Sequence, residues 1–444
     1  MFRRLRNIRL TWTQVAIVAA ASALATAVII AVATQGNGLS YSELAALRQR
    51  VAVHTTPSST TAPRTTPAAS APPTAAPADT SDGASSLASA SEPASTSADA
   101  TENASGSTGD DDTGDDTTDD GTTGTSGTDT TTSPTPLAGH VFVIALTTPS
   151  YRAAFGAGSV ARYLNRKLRR KGVLLTGYRT LGGSELPDYL AMVSGQAPNS
   201  DTKTDCAIYA EFSGSATASS DGQVPGPGCV YPDTVLTVAD QVTASGKQWK
   251  AYLADMGDST CVHPNSNVAD DVVLPGAGTQ YDTRHNPFIY FHSLLDLGGC
   301  SSNDEGLQNL TKGLHKAKRT PTYAFIAPGL CDEPSAAPCP DGTPAGLAGE
   351  DAFLKRWVPP ILASPAYKQD GVLMIVFAKA PADGSGSVRT GALILSPKVK
   401  AGSTVSTHYT PYSVLRSVED LLGYTPLVHA KTAKSFATVA LGSP

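Results

Sequence analysis

The residues of this sequence that are best placed to do chemistry are hydroxyl side chains that follow an apolar segment near residue 140. The segment HVFVIAL (140–146) predicts a buried strand, and Thr147, Thr148 and Ser150 follow it closely. Ligands of α/β domains bind beyond the carboxyl ends of parallel strands, so a nucleophile or a metal ligand is expected here. No carboxylate lies among these residues, although hard cations need several carboxylate or comparable ligands.

The elements that must position these residues alternate between strand and helix patterns. Segments of strand type include VLLTGYR, WKAYLADM, TPTYAFIAP, GVLMIVFAKA and GALILSP, and segments with helical spacing such as LPDYLAMVSG lie between them. This alternation predicts an α/β fold with a mostly parallel central sheet and helices on both faces. The strand ends at 147–150, at 378–380 and after Phe325 are therefore the expected location of a site.

One predicted helix is strongly basic. The segment SVARYLNRKLRRKG places Val160, Leu164 and Leu168 at helical spacing, with basic residues on the opposite face. We interpret the cluster at 166–172 as the solvated face of this helix, and contact with an anionic polymer is the alternative.

The N-terminal part of the chain predicts export. Residues 1–13 are basic, and residues 14–34 form an uncharged segment of about 20 residues, which suits a membrane-spanning anchor. The preceding arginines predict that the N-terminus stays in the cytoplasm and that the C-terminal domain lies outside the cell membrane. A signal peptide cleaved after Ala31-Val32-Ala33 is the alternative, and it also predicts export.

A low-complexity segment separates the predicted anchor from a globular domain. Residues 35–54 are a predicted juxtamembrane segment, and residues 55–136 consist almost entirely of Thr, Ser, Ala, Pro, Gly and Asp. Such a composition buries too little apolar surface to offset the entropy lost on ordering, so a disordered linker is expected. The globular domain is predicted to be residues 137–444. The chain has no basic stripe with interleaved aromatic residues, which argues against a nucleic-acid partner.

All cysteines lie in the predicted globular domain. Their even number in an exported chain predicts disulfide bonds, whereas zinc is disfavoured because no Cys-x-x-Cys pair occurs. The sequence does not determine the pairing. Sequential pairing closes only short loops and is favoured; it would join Cys206 to Cys229, Cys261 to Cys300 and Cys331 to Cys339.

Several longer segments point to a known family. LPDYLAMVSGQAPN, GCVYPDTVLTVADQV, RHNPFIYFHSL, CDEPSAAPCPDG and YSVLRSVEDLLGY stand in this order between residues 139 and 430. Through them the domain resembles the phosphoesterase branch of the alkaline phosphatase superfamily, which includes bacterial acid phosphatases and phospholipases C. The resemblance implies an alkaline phosphatase-like fold and hydrolysis of phosphate esters by a Ser or Thr nucleophile. Bound metal ions would offset the charge on the phosphoryl oxygens.

At the positions where the family has its catalytic groups, however, this chain departs from the pattern. The Glu-Asn pair that ends the family's first strand corresponds to Thr147 and Thr148, so both metal ligands are replaced. The nucleophile position falls on Glu185 of ELPDY, with Ser184 one residue away. A glutamate does not easily take the role of a hydroxyl that attacks beside a metal ion.

The other motifs have changed in the same way. In the Cys-flanked loop Ser335 replaces His and Ala336 replaces Asp, and Pro411 replaces His in the late TPYS motif. Ala378 and Lys379 replace two acids after the most apolar strand. A lysine about 4 Å from a dication would cost several kcal/mol in a cleft of intermediate dielectric. The resemblance therefore predicts a site without intact catalytic residues and without a cofactor.

Ligand binding without catalysis is the function that these changes favour. His285 of RHNPF, Lys379, Asp332 and Ser150 are candidate ligand-binding residues. We expect a membrane-anchored, extracytoplasmic domain, not acting as an enzyme, that binds or scaffolds phosphorylated lipids or wall polymers.

The alternative is an active phosphoesterase with a rearranged divalent-metal site. Its ligands would be drawn from the remaining acids and the motif histidine: Asp188, Asp258, His285, Asp332 and Glu333.

Overall fold

The computed structural model describes residues 135–442 except 148–149, 183, 216, 271–273, 275–277, 333–341, 343 and 379–385. The predicted anchor and juxtamembrane segment lie outside this range, and so does the predicted linker up to residue 134. Among the described residues, no helix has the length and apolar character needed to cross a membrane.

A sheet of eight strands forms the centre of the domain, in the order β4-β3-β5-β1-β6-β7-β2-β8. Apart from β7, which runs antiparallel to β6 and β2, the paired strands are parallel. The predicted mostly parallel sheet is confirmed. The strands are β1 His140–Leu146, β2 Val173–Leu175, β3 Trp249–Leu253, β4 Asp304–Gly306, β5 Tyr323–Ala327, β6 Gly371–Phe377, β7 Ala392–Leu395 and β8 Thr404–Val405.

Helices cover the sheet on both sides. In the described residues they are α1 Tyr151–Phe155, a π-helix Tyr163–Leu168, α2 Leu186–Ser194, α3 Val238–Ala244, α4 His292–Leu295, α5 Gly299–Asn303, α6 Leu310–Gly313, α7 Leu347–Ala363, α8 Pro365–Asp370, α9 Pro411–Leu422 and α10 Ala437–Ala440.

The two halves of the core follow from the alternation of side chains along the strands. Val141, Val143 and Ala145 of β1 belong to the core that contains α2, α3 and α9. Phe142 and Ile144 belong to the other core, together with the apolar residues of the π-helix and α7. Because both faces of β1 are buried, its sequence is apolar at nearly every position, as expected of a central parallel strand.

The parallel strands give the sheet two distinct ends, one at their first residues and one at their last. The parallel strands β1, β3, β5 and β6 begin in register, so their amino ends share one edge and their carboxyl ends share the other. We call these the amino edge and the carboxyl edge. The chain enters the described domain at the amino edge, just before β1.

Candidate functional site

Thr147 lies at the carboxyl edge, where the sequence predicted it, but its partner was not predicted. Its backbone N–H and its Oγ1 donate hydrogen bonds to Oε1 of Glu350, at 2.7 and 3.2 Å. Both residues are fully buried. Glu350 belongs to the first turn of α7, which thereby docks against the end of β1. A carboxylate from α7 thus reaches the strand end at which the sequence has no acid.

Glu185 is the second acid at this edge. It immediately precedes α2, whose first N–H, that of Leu186, donates to Asp205 Oδ1 at 2.9 Å. Helix α2 ends at Gly195, whose φ of 74° favours glycine. The side chain of Glu185 is buried, and its Oε1 lies 3.7 Å from Nε2 of His285 and 3.6 Å from a guanidinium nitrogen of Arg284.

The segment Asp282 to Asn286 brings the remaining groups to Glu185. Asp282 caps the short 3-10 helix Thr283–His285 by accepting a hydrogen bond from the N–H of Arg284 at 2.9 Å. The guanidinium of Arg284 also donates to both carboxylate oxygens of Asp282, with Nε at 2.9 Å from Oδ1. A further nitrogen of Arg284 lies 4.0 Å from Asp205. One guanidinium therefore faces the carboxylates of Glu185, Asp205 and Asp282.

The orientation of His285 is fixed by β5. Its Nδ1 donates to the carbonyl oxygen of Pro328, just after β5, at 2.9 Å, so Nε2 is directed toward Glu185. The ring, which is fully buried, packs 5.4 Å from the ring of Tyr189. A histidine whose one nitrogen donates to a backbone carbonyl presents the other nitrogen as an acceptor or a metal ligand.

Two acids, the half-buried Asp270 and the fully buried Asp304, hold the same segment in place. Asp270 accepts hydrogen bonds from Thr283 Oγ1 at 2.6 Å and from the hydroxyl of Tyr290 at 2.9 Å. Asp304 accepts from Asn286 Nδ2 at 2.6 Å. Burial raises the pKa of Asp270 to about 6 and that of Asp304 to about 7.

Glu185, Asp282 and His285 form a group that fits a metal ion. One ligand atom from each lies within 4.8 Å of the others, and all three residues are buried. Two carboxylates and an imidazole are suitable ligands for zinc or a similar divalent cation. Arg284, which already binds Asp282, would have to share that carboxylate with the ion.

Asp188 lies beside this group but is a different kind of acid. It is completely buried on α2, and burial raises its pKa well above the ordinary value. The N–H of Leu181, which donates to Oδ1 at 2.8 Å, opposes that shift, while the nearby charges of Glu185 and Asp205 add to it. Asp188 is also not among the residues whose ligand atoms lie within 4.8 Å of one another, which are Glu185, Asp282 and His285.

Several other predicted site residues have structural roles. Ser150 Oγ accepts from the N–H of Ala153 at 3.2 Å and so caps α1. Pro411 occupies the first turn of α9, Ala378 is buried directly after β6, and Ser184 donates to the carbonyl of Thr202.

The remaining predictions lie apart from the group or outside the description. Asp258 is exposed and accepts from Gln308 at 3.3 Å. Asp332 ends a short 3-10 helix, Leu330–Asp332. Thr148, Glu333, Ser335, Ala336 and Lys379 lie outside the described residues.

Sequence reasoning missed Asp282, Arg284, Asp205 and Glu350. The available signal for the first two was their position within three residues of His285 in the DTRHNPF segment.

Two of the three predicted disulfides are confirmed, Cys206–Cys229 and Cys261–Cys300. Cys331 is also disulfide-bonded, and Cys339 lies outside the described residues. Cys261 and Cys300 lie near Asp304 in a second potential metal group, but their sulfurs are bonded to each other. That group therefore offers no thiolate to a metal.

The sequence from residue 161 to residue 424, more than half of the chain, matches the model of the Phosphoesterase family. The chain belongs to the Phosphoesterase family. It is 22% identical over 258 residues to the phosphate-repressible acid phosphatase of Penicillium chrysogenum, covering 57% of this chain and 52% of that one. It is also 22% identical over 282 residues to a probable acid phosphatase of Kluyveromyces lactis, covering 63% and 56%. This phosphoesterase chain thus spans about half the length of these curated relatives.

Solved structures similar to this phosphoesterase domain are more distant. An alkaline phosphatase superfamily protein of Vibrio parahaemolyticus aligns with a TM-score of 0.41 at 10% identity, covering 68% of this chain and 71% of that one. The periplasmic domain of Escherichia coli EptC, solved in complex with zinc, aligns with a TM-score of 0.36 at 8% identity, covering 68% and 89%.

The predicted absence of a cofactor is wrong for this phosphoesterase domain. That prediction considered only the family's own ligand positions, where Thr147 and Ala378 replace acids. The fold instead brings Glu185, Asp282 and His285 together as a potential metal site. A ligand group assembled from α2 and from the segment before β4 cannot be recognised from separate motifs.

Proposed function

We propose that this phosphoesterase-family domain binds a phosphate-bearing ligand at the carboxyl edge of the sheet, together with a divalent cation, and does not hydrolyse it. The observation that carries the proposal is the identity and environment of Glu185. At the family's nucleophile position the chain has a buried carboxylate, 3.7 Å from His285 and 3.6 Å from Arg284.

Two positive groups would attract the ligand's phosphate. Arg284, with 31% of its side chain exposed, is the accessible cation of the cluster. Two of its nitrogens already donate to Asp282, and the third, 3.6 Å from Glu185, would donate a charge-assisted hydrogen bond to a phosphate oxygen. Glu185, Asp282 and His285 would hold the divalent cation, which supplies charge for the phosphoryl oxygens.

The chain's own residues argue against hydrolysis. A carboxylate at the nucleophile position repels the phosphoryl oxygens that an attacking hydroxyl must approach. The hydroxyl of Thr147, at the end of the central strand, is engaged with Glu350 at 3.2 Å. These contacts support a domain that holds phosphate without transferring it.

An active phosphoesterase is the second candidate function. The group of Glu185, Asp282 and His285 favours it, as do relatives that are named acid phosphatases. In this case the metal ligands have moved from the ends of β1 and β6 to Glu185, just before α2, and to Asp282 and His285.

The ligand class and location follow from the predicted anchor. We propose that residues 14–34 tether the chain to the cell membrane, and that the domain meets phosphorylated lipids or wall polymers outside it. The disulfides Cys206–Cys229 and Cys261–Cys300 support an oxidising, extracytoplasmic compartment.

The test combines metal analysis, binding and turnover on the purified full chain. We expect stoichiometric divalent metal, phosphate binding that chelation abolishes, and no hydrolysis of p-nitrophenyl phosphate with added Mg²⁺, Mn²⁺ or Zn²⁺. Metal-dependent turnover by the natural chain would refute the binding function and establish the second candidate. If no metal is present and chelation does not change phosphate binding, the proposed role of the divalent cation is refuted.

The variant Glu185→Ser examines the deciding residue directly. It restores the family's hydroxyl but removes a metal ligand, so we expect weaker metal binding and no gain of turnover. Glu305→Ser is the matched control, because Glu305 lies in β4 and pairs with Lys250 at 3.4 Å, away from the site.

A further inference from the structure

The amino edge of the sheet carries exposed cations on both sides of β1. They lie in the short segments that immediately precede β2, β3, β5 and β6 (169–172, 245–248, 315–322 and 364–370) and in the segment that follows β7 (396–403), all of which are described. These segments contain a basic set in which each side chain is exposed: Arg170, Lys171, Lys247, Lys316, Lys318, Arg319, Lys368, Lys398 and Lys400. We call this set the basic edge.

Carboxylates are nearly missing from the same segments. Asp370, before β6, is the one acid in these described segments, and it is half-buried against Gly139. On the covering helix α9, Asp420 accepts a hydrogen bond from Arg416 Nε at 2.9 Å. Within the described part of the chain, the salt bridges involve none of the basic-edge residues. Their charge is therefore available to a partner.

The geometry of the sheet makes the basic edge an extended line. Val173 of β2 pairs with Ile394, and Leu395 pairs with Leu373, so Lys398 and Lys400 emerge where β2 and β6 begin. The N–H of Gly402 donates to the carbonyl of Gly172 at 2.8 Å, which joins this loop to Arg170 and Lys171. From β3 to β2 the line crosses five strand spacings, or about 24 Å at ~4.8 Å each.

Two further features occur at this edge. Leu137, with 47% of its surface exposed, lies just before β1, where the chain enters the domain. At the β3–β5 end, a groove of about 300 Å³ is lined by the cations Lys250, Lys312 and Arg319 together with one acid, Glu305. A line of cations with a neighbouring apolar side chain suits an anionic surface with an apolar interior.

From this placement we infer that the basic edge docks the domain onto the anionic headgroup surface of a bilayer. The inference rests on the proposed membrane tether, because the chain enters the domain at the basic edge. Docking would turn the carboxyl edge, with Glu185, Asp282 and His285, away from that bilayer. Of the two ligand classes proposed above, the site would then meet wall polymers and not lipids of the same membrane.

The experiment compares hydrogen exchange of the full chain in nanodiscs of phosphatidylcholine alone and of phosphatidylcholine with phosphatidylglycerol. We expect slower exchange in the anionic discs at 314–322 and 396–403, no change at 281–286, and loss of the difference at high salt. Equal exchange in the two kinds of disc would overturn the inference, and so would protection of the carboxyl edge.

A charge-reversed pair and a matched pair test the residues themselves. Each cation at an anionic surface contributes about a fivefold factor, so Lys398→Glu with Lys400→Glu should lower the docked-to-free ratio by on the order of 25-fold or more. The pair Arg152→Glu and Lys203→Glu changes the same number of exposed cations near the carboxyl edge and should leave the docked-to-free ratio unchanged. If both pairs lower that ratio equally, the inference is overturned. Circular dichroism establishes that both variants fold.

Two further outcomes separate the proposals. If soluble polyphosphate protects the same connections while phosphatidylglycerol does not, the partner is a soluble polyanion, and docking on a bilayer is wrong. If size exclusion shows that the chain does not enter nanodiscs, the proposed tether has failed. Co-sedimentation of the chain with anionic vesicles then tests docking by itself, and no binding to these vesicles would overturn the inference.

Discussion

The carboxyl edge and the amino edge of the same sheet have opposite character. At the carboxyl edge, Glu185, Asp282 and Glu350 are buried acids, arranged around one histidine and one arginine. At the amino edge, exposed lysines and arginines stand in segments that contain almost no acid. Buried charges must have partners because of their desolvation cost, whereas exposed charges need none. The comparison teaches that changes at the carboxyl edge alter both stability and binding, while changes at the amino edge alter binding alone.

The largest effect is expected for His285→Ala at the carboxyl edge. Loss of the imidazole removes one of the ligands within 4.8 Å, and we expect divalent-metal affinity to fall about 100-fold or more. Isothermal titration with Zn²⁺ and Mn²⁺ measures this. His315→Ala, an exposed histidine near β5, is the control. If His285→Ala binds divalent metal as tightly as the natural chain, Glu185, Asp282 and His285 do not form a metal site.

The pH dependence of stability tests the acids behind the site. Burial raises the pKa of Asp304 to about 7 from an ordinary 3.8, so the folded state holds a proton that the unfolded state releases between these values. Stability contributed by this group is therefore complete below the unfolded pKa and is lost as pH rises toward 7. We expect Asp304→Asn to make stability less dependent on pH between 4 and 7, by about 2 to 4 kcal/mol.

Urea unfolding at several pH values measures that change. Asp258→Asn is the matched control, since Asp258 is exposed and accepts a single hydrogen bond, from Gln308. A pH profile of Asp304→Asn that matches the natural chain would show that Asp304 is not protonated in the fold.

Two smaller effects are expected for Arg284→Gln, one on the stability of the domain and one on its metal affinity. Three carboxylates lose the guanidinium that they share, so the metal-free domain should lose about 1 to 3 kcal/mol. The same change frees Asp282 for a cation, so metal affinity should rise, and excess Zn²⁺ should recover the stability. Thermal unfolding with and without metal separates the two effects. Reduced metal affinity would mean that Arg284 positions Asp282 and does not compete for it.

The fold could be predicted from the sequence more fully than the site. The apolar β1, with both faces buried, and the helices between strands carry their pattern locally, so the parallel sheet was recoverable. Glu350 reaches Thr147 across 203 positions of sequence, and Glu185 meets His285 only because α2 and β5 hold them there. Such contacts depend on tertiary packing, which local patterns do not encode. Comparison with the family motifs identified the positions at which metal ligands are replaced, such as Thr147. It did not identify the acids that lie nearby in the fold, Glu350 and Asp282.

The smallest effect on stability is expected at the amino edge. It directly tests whether changes at this edge alter binding without altering stability. The pair Lys398→Glu and Lys400→Glu changes exposed side chains outside the described ion pairs, so the free energy of unfolding should change by less than about 0.5 kcal/mol. The same pair is expected to lower docking on anionic discs by on the order of 25-fold or more. Urea unfolding of the pair beside the natural chain measures the first quantity. A large loss of stability would mean that the amino edge takes part in holding the fold, and the separation between the two edges would not stand.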